Sequence, residues 1–160
     1  MQIKYLLVWL LVFAACKTAP PAASTSFSTA GPAWGALWQQ RAAEYKALCL
    51  QAYQAAAQRA EVMSHQQTLR PRAIVTDIDE TVLDNSPFSA KTALAGQPYS
   101  QQAWEAWTAL AAADTVPGAL SFFQYAASKG FTIYYITNRL EKERAATLKN
   151  LLVKVDGEIV

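Results

Sequence analysis

The sequence has few charged residues and few side chains of the kind that bind zinc. Charged residues make up 16% of its 160 residues, the formal net charge is +2, and there are one histidine and two cysteines. It contains no basic cluster, no zinc-ligand spacing and no Gly-rich phosphate loop of the Walker type. Nothing in it therefore indicates a nucleic-acid-binding protein. The 52% apolar composition is typical of a chain with one packed domain.

The sequence also lacks an apolar run long enough to span a bilayer. Residues 1–15 contain Lys4, then an apolar stretch from Tyr5 to Phe13, then two alanines before Cys16. This pattern predicts a secretory signal peptide over residues 1–15 rather than a transmembrane helix. Residues 13–16 also resemble a bacterial lipobox, so we expect a lipid on Cys16 and a membrane-anchored protein of the bacterial cell envelope, an outer-membrane lipoprotein. The alternative is an ordinary signal peptide with an incidental cysteine.

After this segment the sequence predicts a tether and then a helix. With Cys16 lipidated only Cys49 remains, so no intrachain disulfide is expected. Residues 16–33 are rich in Ala, Pro, Ser and Thr and predict a flexible tether. From Trp34 to about His65 the spacing predicts one long helix. Its apolar side, which we expect to be core, carries Trp34, Trp38, Tyr45, Leu48 and Ala52, interrupted only by Arg41.

A short apolar run from Ala73 ends in two carboxylates, Asp77 and Asp79. In a strand these two side chains share one side while Ile78 points into the packing, and the carboxyl end of a strand is where open α/β sheets bind ligands. A carboxylate can attack phosphorus, and carboxylates bind Mg²⁺. A calcium loop is excluded because Val82 stands where such a loop needs Gly. A solvated acidic turn stays open on these residues alone.

A second strand is predicted at residues 131–136, after a helix from Pro117 to Lys129 that Gly130 ends. A helix between two buried strands predicts a right-handed parallel crossover, so this strand should pair with Ala73 to Thr76 in an α/β fold. Thr137 then lies at the same edge as Asp77. Arg139 could offer a planar fork to phosphate, although residues 137–139 could instead only cap the next helix.

Two segments together resemble a known family. Residues 77–87, Asp-Ile-Asp-Glu-Thr-Val-Leu-Asp-Asn-Ser-Pro, and residues 136–139, Ile-Thr-Asn-Arg, are similar to those of the class C bacterial acid phosphatases. The likeness is closest to the lipoprotein e family of 5′-nucleotidases in the haloacid dehalogenase superfamily, and it extends from Trp34 to about Leu151. It implies a haloacid dehalogenase-like Rossmannoid parallel sheet with an N-terminal helix, in a domain over residues 34–160.

The resemblance also implies a mechanism. Asp77 would attack phosphorus, and Asp79 would protonate the leaving alcohol and later activate water. Thr137 would orient the phosphoryl group, with Asn138 and Arg139 beside it. Mg²⁺ would be held by the Asp77 carboxylate and the Asp79 backbone carbonyl. The implied function is a membrane-anchored, Mg-dependent acid phosphatase that hydrolyses phosphate monoesters such as nucleoside monophosphates through an aspartyl-phosphate.

A cap insertion is implied at about residues 86–116, with its first half broken by prolines and glycine and a helix from Gln101 to Ala113. Its aromatic residues, Phe88 and Trp104 above all, are candidates for stacking on a nucleoside base. The alternative is that they only hold the cap in place.

The sequence departs from the family toward its C-terminus. The family has a downstream Lys that stabilises the phosphoryl-enzyme, and a later acidic loop that completes the metal site. Neither can be placed before Val160. We therefore expect a C-terminally truncated domain with an incomplete core sheet. A non-catalytic remnant or a surface ligand-binding lipoprotein is the alternative function.

Overall fold

The computed structural model describes residues 27–155, with side chains for residues 31–152. The signal peptide predicted over residues 1–15, the lipidation predicted at Cys16 and the tether up to residue 26 lie outside the described residues. Within the described range, no helix is both long and apolar enough to cross a membrane.

Helices and short strands alternate along the chain. In order they are α1 (Phe27–Arg41), α2 (Ala43–Ser64), β1 (Ala73–Thr76), β2 (Leu83–Asp84), α3 (Ser86–Leu94), α4 (Gln101–Thr108), β3 (Asp114–Thr115), α5 (Ala119–Ser128), β4 (Thr132–Tyr135), a 3₁₀ turn (Glu141–Glu143) and α6 (Arg144–Val155).

The N-terminal region forms two helices, so the prediction of one long helix is wrong. Ala42 has an extended backbone (ψ 124°) that separates α1 from α2. Residues 27–33, assigned to the tether, are helical, and α1 packs mainly against α3. Of the predicted apolar stripe, Tyr45 is buried as expected, but the assignment of the other four residues to the core is wrong. Trp34 is 69% exposed, Trp38 46% and Leu48 54%, and Ala52 is also exposed.

The face of α2 that meets the core is made of other residues. Cys49, Tyr53, Ala56, Ala57 and Ala60 pack against the core cluster, and their spacing follows one side of a helix. Most of these residues are small, which lets α2 approach α5 closely.

The central pair of strands confirms the predicted crossover. β1 and β4 run parallel, with Ala73 opposite Thr132 and Thr76 opposite Tyr135, and α5 connects them. Gly130 ends the crossover helix with φ 78°, as the sequence predicted. Each strand has one neighbour in the described part of the chain. The expectation of fully buried strands is therefore wrong: Val75 is 64% exposed and Tyr134 56%.

The insertion between the carboxylate segment and α5 contains more helix than predicted. Pro87 lies in the first turn of α3, where proline needs no hydrogen-bond partner, so it starts the helix instead of breaking it. α4 ends at Thr108, before the predicted Ala113, and Ala111 takes a left-handed backbone (φ 50°). β2 and β3 form a short antiparallel ladder at the ends of the insertion.

The core lies between α5, α6 and the loop after β1. Its most buried large side chains are Phe123 of α5, Leu151 of α6, and Val82 and Leu83 of the loop. The Tyr53 hydroxyl of α2 donates to the Thr81 backbone oxygen. Apolar burial and this hydrogen bond fix the loop that carries the two carboxylates.

Candidate active site

The loop after β1 is a tight, hydrogen-bonded turn. The backbone N–H groups of Val82 and Leu83 both donate to the Ile78 carbonyl, at 2.8 and 2.9 Å, and the Glu80 N–H donates to the Leu83 carbonyl at 2.8 Å. Glu80 adopts a left-handed backbone (φ 56°) to close this turn, a conformation that non-glycine residues rarely take. Ile78 is only 2% exposed, so it points into the packing as predicted.

Asp77 stands at the carboxyl end of β1 and is exposed. Its backbone carbonyl accepts a hydrogen bond from Thr76 Oγ1 at 2.9 Å. Its carboxylate takes no hydrogen bond or ion pair from any residue that the structure describes. Both oxygens are therefore free to meet an incoming ligand.

Asp79 is held from two directions. Arg139 Nε donates to both carboxylate oxygens at 3.1 Å, and Nη2 donates to Oδ1. Asn85 Nδ2 also donates to Oδ1, at 2.8 Å. The Arg139 side chain is 3% exposed and that of Asp79 20%. The Arg139 guanidinium, which was predicted to bind phosphate, thus donates to the Asp79 carboxylate in this structure.

The two side chains that hold Asp79 are themselves held. Arg139 Nη1 donates to Thr147 Oγ1 at 3.1 Å, and the Arg139 Cζ lies 5.6 Å from the centre of the Trp104 ring. Asn85 Oδ1 accepts from Trp107 Nε1 at 2.8 Å. Trp107 was predicted only as one of the aromatic residues available for base stacking, and Asn85 and Thr147 were not predicted as site residues. The available signal for Asn85 was a polar side chain two residues after Leu83, just past the turn of residues 78–83.

Thr137 lies at the same sheet edge as Asp77, as predicted. The Ile136 N–H donates to the Thr76 carbonyl at 2.8 Å, which continues the pairing of β1 and β4 to the edge. Thr137 is half-buried, and its Oγ1 accepts from the Arg139 backbone N–H at 3.2 Å. Asn138 is exposed. The phosphate-binding roles of Thr137 and Asn138 stay predictions.

The aromatic residues of the insertion form a cluster around Phe88. Its ring centre lies 5.3 Å from that of Trp104 and 6.4 Å from those of Tyr99 and Trp107. Phe88 is 7% exposed, so it packs the insertion together and offers no open face for a base. Tyr99 is 63% exposed, and Trp104 and Trp107 are both half-buried, so Tyr99 offers the most accessible ring of the cluster.

A polar stripe on α6 and its preceding turn fixes the insertion against the site. Glu143 Oε1, in a residue 5% exposed, accepts from Thr108 Oγ1 at 2.7 Å. Asn150 pairs with the backbone of Ala113, donating to its carbonyl at 2.8 Å and accepting from its N–H at 3.0 Å. Thr147, between them on the helix, holds Arg139. One face of α6 therefore positions the end of α4, the start of β3 and the arginine.

The pKa of the Glu80 carboxyl is changed by its surroundings in the turn. Partial burial raises the pKa of Glu80 above its ordinary value, and the Asp79 charge adds to this effect. The Asn85 backbone N–H, which donates to Glu80 Oε1 at 3.0 Å, acts in the opposite direction. The turn thus gathers several carboxylates, and only Asp79 is paired with an arginine.

The donors near Asp77 suit a hard divalent cation in kind. The Asp77 carboxylate and the Asp79 backbone carbonyl are oxygen ligands of the type that Mg²⁺ takes. No group of three or more His, Cys, Asp or Glu that could hold a metal occurs among the residues the structure describes. A cation here would complete its shell with waters and substrate oxygens, which Mg²⁺ commonly keeps.

Comparison with known proteins finds a matching family model and similar solved structures. A family model, HAD superfamily, subfamily IIIB (Acid phosphatase), matches residues 23–155. Two crystal structures of the class C acid phosphatase from Bacillus anthracis are similar. The one with tungstate bound is 41% identical with a TM-score of 0.73, over 77% of this chain and 52% of that one. The other is 38% identical with a TM-score of 0.78, over 82% of this chain and 56% of that one.

A more distant relative is Acid phosphatase 1 of Solanum lycopersicum, 26% identical over 78 residues, which are 49% of this chain and 31% of that protein. The chain thus spans about half the length of the two bacterial structures that it matches. The mixed helix and sheet architecture with a parallel strand pair is that of these structures.

Proposed function

Because this chain belongs to the acid phosphatases of HAD superfamily subfamily IIIB, we propose that it hydrolyses phosphate monoesters with Asp77 as the nucleophile. The observation that carries the proposal is the difference between the two carboxylates. Asp77 is exposed with unengaged oxygens, as an attacking group must be. Asp79 is held by Arg139 and Asn85, as suits a group that handles a proton in a fixed direction.

The chemistry proceeds in two displacements. An Asp77 carboxylate oxygen attacks phosphorus, the ester P–O bond breaks, and the leaving alkoxide takes a proton from Asp79. Asp79 then accepts a proton from water as the water oxygen attacks the aspartyl-phosphate, which releases inorganic phosphate and regenerates the Asp77 carboxylate. Of the two Asp79 oxygens, Oδ2 accepts only from Arg139 Nε, so it has the room to carry the proton.

The family generally uses a divalent metal, and we propose Mg²⁺ held by the Asp77 carboxylate and the Asp79 backbone carbonyl. Bound there, it would neutralise negative charge on the phosphoryl oxygens. The Thr137 hydroxyl, at the same edge of the sheet, donates to a phosphoryl oxygen and orients the group for attack.

We further propose nucleoside monophosphates as substrates and a lipid anchor at Cys16, which would place the enzyme on a bacterial membrane. Support for the nucleoside comes from the aromatic surface of the insertion, where Tyr99 and Trp104 remain accessible and can stack on a base.

The test is phosphate release from adenosine monophosphate and from a simple aryl phosphate, with and without Mg²⁺. Asp77→Asn should lower kcat by at least about 10³-fold, the scale on which nucleophile removal acts. It should leave the melting temperature unchanged, because the carboxylate has no partner to lose. Glu44→Gln, which also neutralises an exposed acid, is the matched control and should keep full activity. Substantial turnover by Asp77→Asn, or none by a folded wild-type chain, would refute the proposal.

A further inference from the structure

The insertion helix α4 contacts both side chains that hold Asp79. Its two tryptophans, Trp104 and Trp107, are three residues apart and so lie on one side of the helix. The Trp104 ring lies over the Arg139 guanidinium, with Cζ 5.6 Å from the ring centre. Trp107 Nε1 donates to Asn85 Oδ1 at 2.8 Å. Each tryptophan therefore supports one of the two groups that donate to the Asp79 carboxylate.

Trp107 and Asp79 together fix which way the Asn85 amide points. An indole N–H can only donate, so the amide atom that faces it must be the oxygen. The amide nitrogen is then directed at Asp79 Oδ1, where it donates at 2.8 Å. Asn85 is 1% exposed, so water does not readily replace either partner. Without the indole N–H, the buried Asn85 Oδ1 would lose its donor, and the side chain could turn away from Asp79 to find another.

We propose that Asn85 is a positioning residue for the phosphatase reaction, and that α4 sets the direction of the Asp79 carboxylate through Trp107 and Asn85. The inference rests on the proposed function in one respect, the role of Asp79 in proton transfer. Oδ1 accepts from Asn85 and from two Arg139 nitrogens, whereas Oδ2 accepts from Arg139 Nε, so Oδ2 is the less engaged oxygen and the one to face the leaving group and the attacking water. The insertion thus shapes the reacting geometry.

The kinetic test uses Trp107→Phe, which keeps an aromatic ring and removes the donor. Misdirection of a catalytic group is felt in the transition state more than in substrate binding. We expect kcat to fall by about 10-fold, equivalent to about 1.4 kcal/mol, with KM within about 2-fold. Asn85→Ala should cost a similar factor, and the double variant little more, because both changes break one chain of contacts. Trp38→Phe, the same change at an exposed position of α1, is the matched control.

A purely structural role for Trp107 would lower the melting temperature and leave kcat per folded molecule unchanged, which would overturn the proposal. The proposal would also be overturned if the double variant lost kcat by the product of the two single-variant factors.

A second measurement needs no turnover. The indole N–H signal of Trp107, identified by its loss in Trp107→Phe, should shift in Asn85→Ala and exchange with solvent about 10-fold faster or more, since its acceptor is gone. The Trp38 signal should not change. If the wild-type chain releases no phosphate but the Trp107 signal responds to Asn85→Ala, the proposed function fails while the hydrogen-bonded pair stands. If the Trp107 signal ignores Asn85→Ala, the positioning role itself is refuted.

Discussion

Replacing Arg139 with Ala removes the cation that holds Asp79, and the structure sets the size of the effect. Breaking a fully buried ion pair costs about 3–5 kcal/mol, because the remaining charge stays buried and unpaired. Exposed pairs contribute about 0–1 kcal/mol. The Arg139 side chain is 3% exposed and that of Asp79 20%, so this pair lies nearer the buried limit. The loss of the bond to Thr147 acts in the same direction.

We therefore expect Arg139→Ala to lower the free energy of unfolding by about 2–4 kcal/mol. For a domain of this size that corresponds to a fall in melting temperature of about 10 °C. Urea unfolding followed by circular dichroism measures the first quantity, and a thermal scan the second. Arg139→Lys keeps the charge but loses the planar fork, so it should cost about half as much. Arg59→Ala, at an exposed arginine of α2, should stay within about 0.5 kcal/mol.

A double-mutant cycle decides whether Asp79 is the partner responsible. If it is, Arg139→Ala should be less costly in an Asp79→Asn background, with a coupling of about 1–3 kcal/mol. Zero coupling, or a wild-type midpoint for Arg139→Ala, would refute the reasoning and return Arg139 to the phosphate-binding role predicted from the sequence.

Two further predictions concern α5. Gly118 precedes this helix at φ 90°, and a Cβ there would lie 3.1 Å from Tyr53 Cβ. Gly118→Ala should therefore lower the free energy of unfolding, measured with urea, by about 2 kcal/mol. Gly130→Ala, where the backbone is strained but no atom obstructs the Cβ, should lower it by about 1 kcal/mol. Lys129, with Tyr125 and His65, lowers the pKa of Glu61 from 4.5 to about 2. The stabilisation that ionised Glu61 gives the folded state is present above pH 4.5 and is lost as the pH falls toward 2. The melting-temperature difference between wild type and Glu61→Gln should therefore shrink over this window, and a constant difference would contradict the prediction.

The sheet edge that carries the candidate site could be predicted from the sequence because strand signals there are local. An apolar run that ends in Asp77, and a helix bounded by Gly118 and Gly130, suffice to predict a parallel β1–β4 pair, and the register confirms it. The N-terminal helices were less predictable. The break at Ala42 carries no proline or glycine, and tertiary packing of α1 on α3 decides it. The helix α3 was missed because Pro87 was interpreted as a breaker, whereas proline in a first turn favours a helix.

The partners of the site residues could not be predicted from local pattern. Arg139 follows β4 and Asp79 follows β1, so the sequence places both at one edge but does not say whether the guanidinium faces a ligand or a carboxylate. Trp107 and Asn85 are 22 positions apart in the sequence, and only the fold of the insertion brings them together. The aromatic residues of the insertion were predicted to stack on a base or to hold the cap in place, and the structure directs Trp104 and Trp107 at the supports of Asp79.

The two carboxylates differ because the turn at residues 78–83 gives them different neighbours. Asp77 is one residue past the last paired position of β1, and the open edge leaves it in solvent. Asp79 is two residues further, where the turn directs it at the insertion and at the segment after β4. A carboxylate nucleophile gains from weak engagement, because each hydrogen bond that its oxygens accept makes their lone pairs less reactive. A proton-transfer group gains from a fixed direction. The same short turn therefore leaves Asp77 unengaged and holds Asp79 in a fixed direction. The second of these depends on the contacts of Asp79 with Asn85 and Arg139.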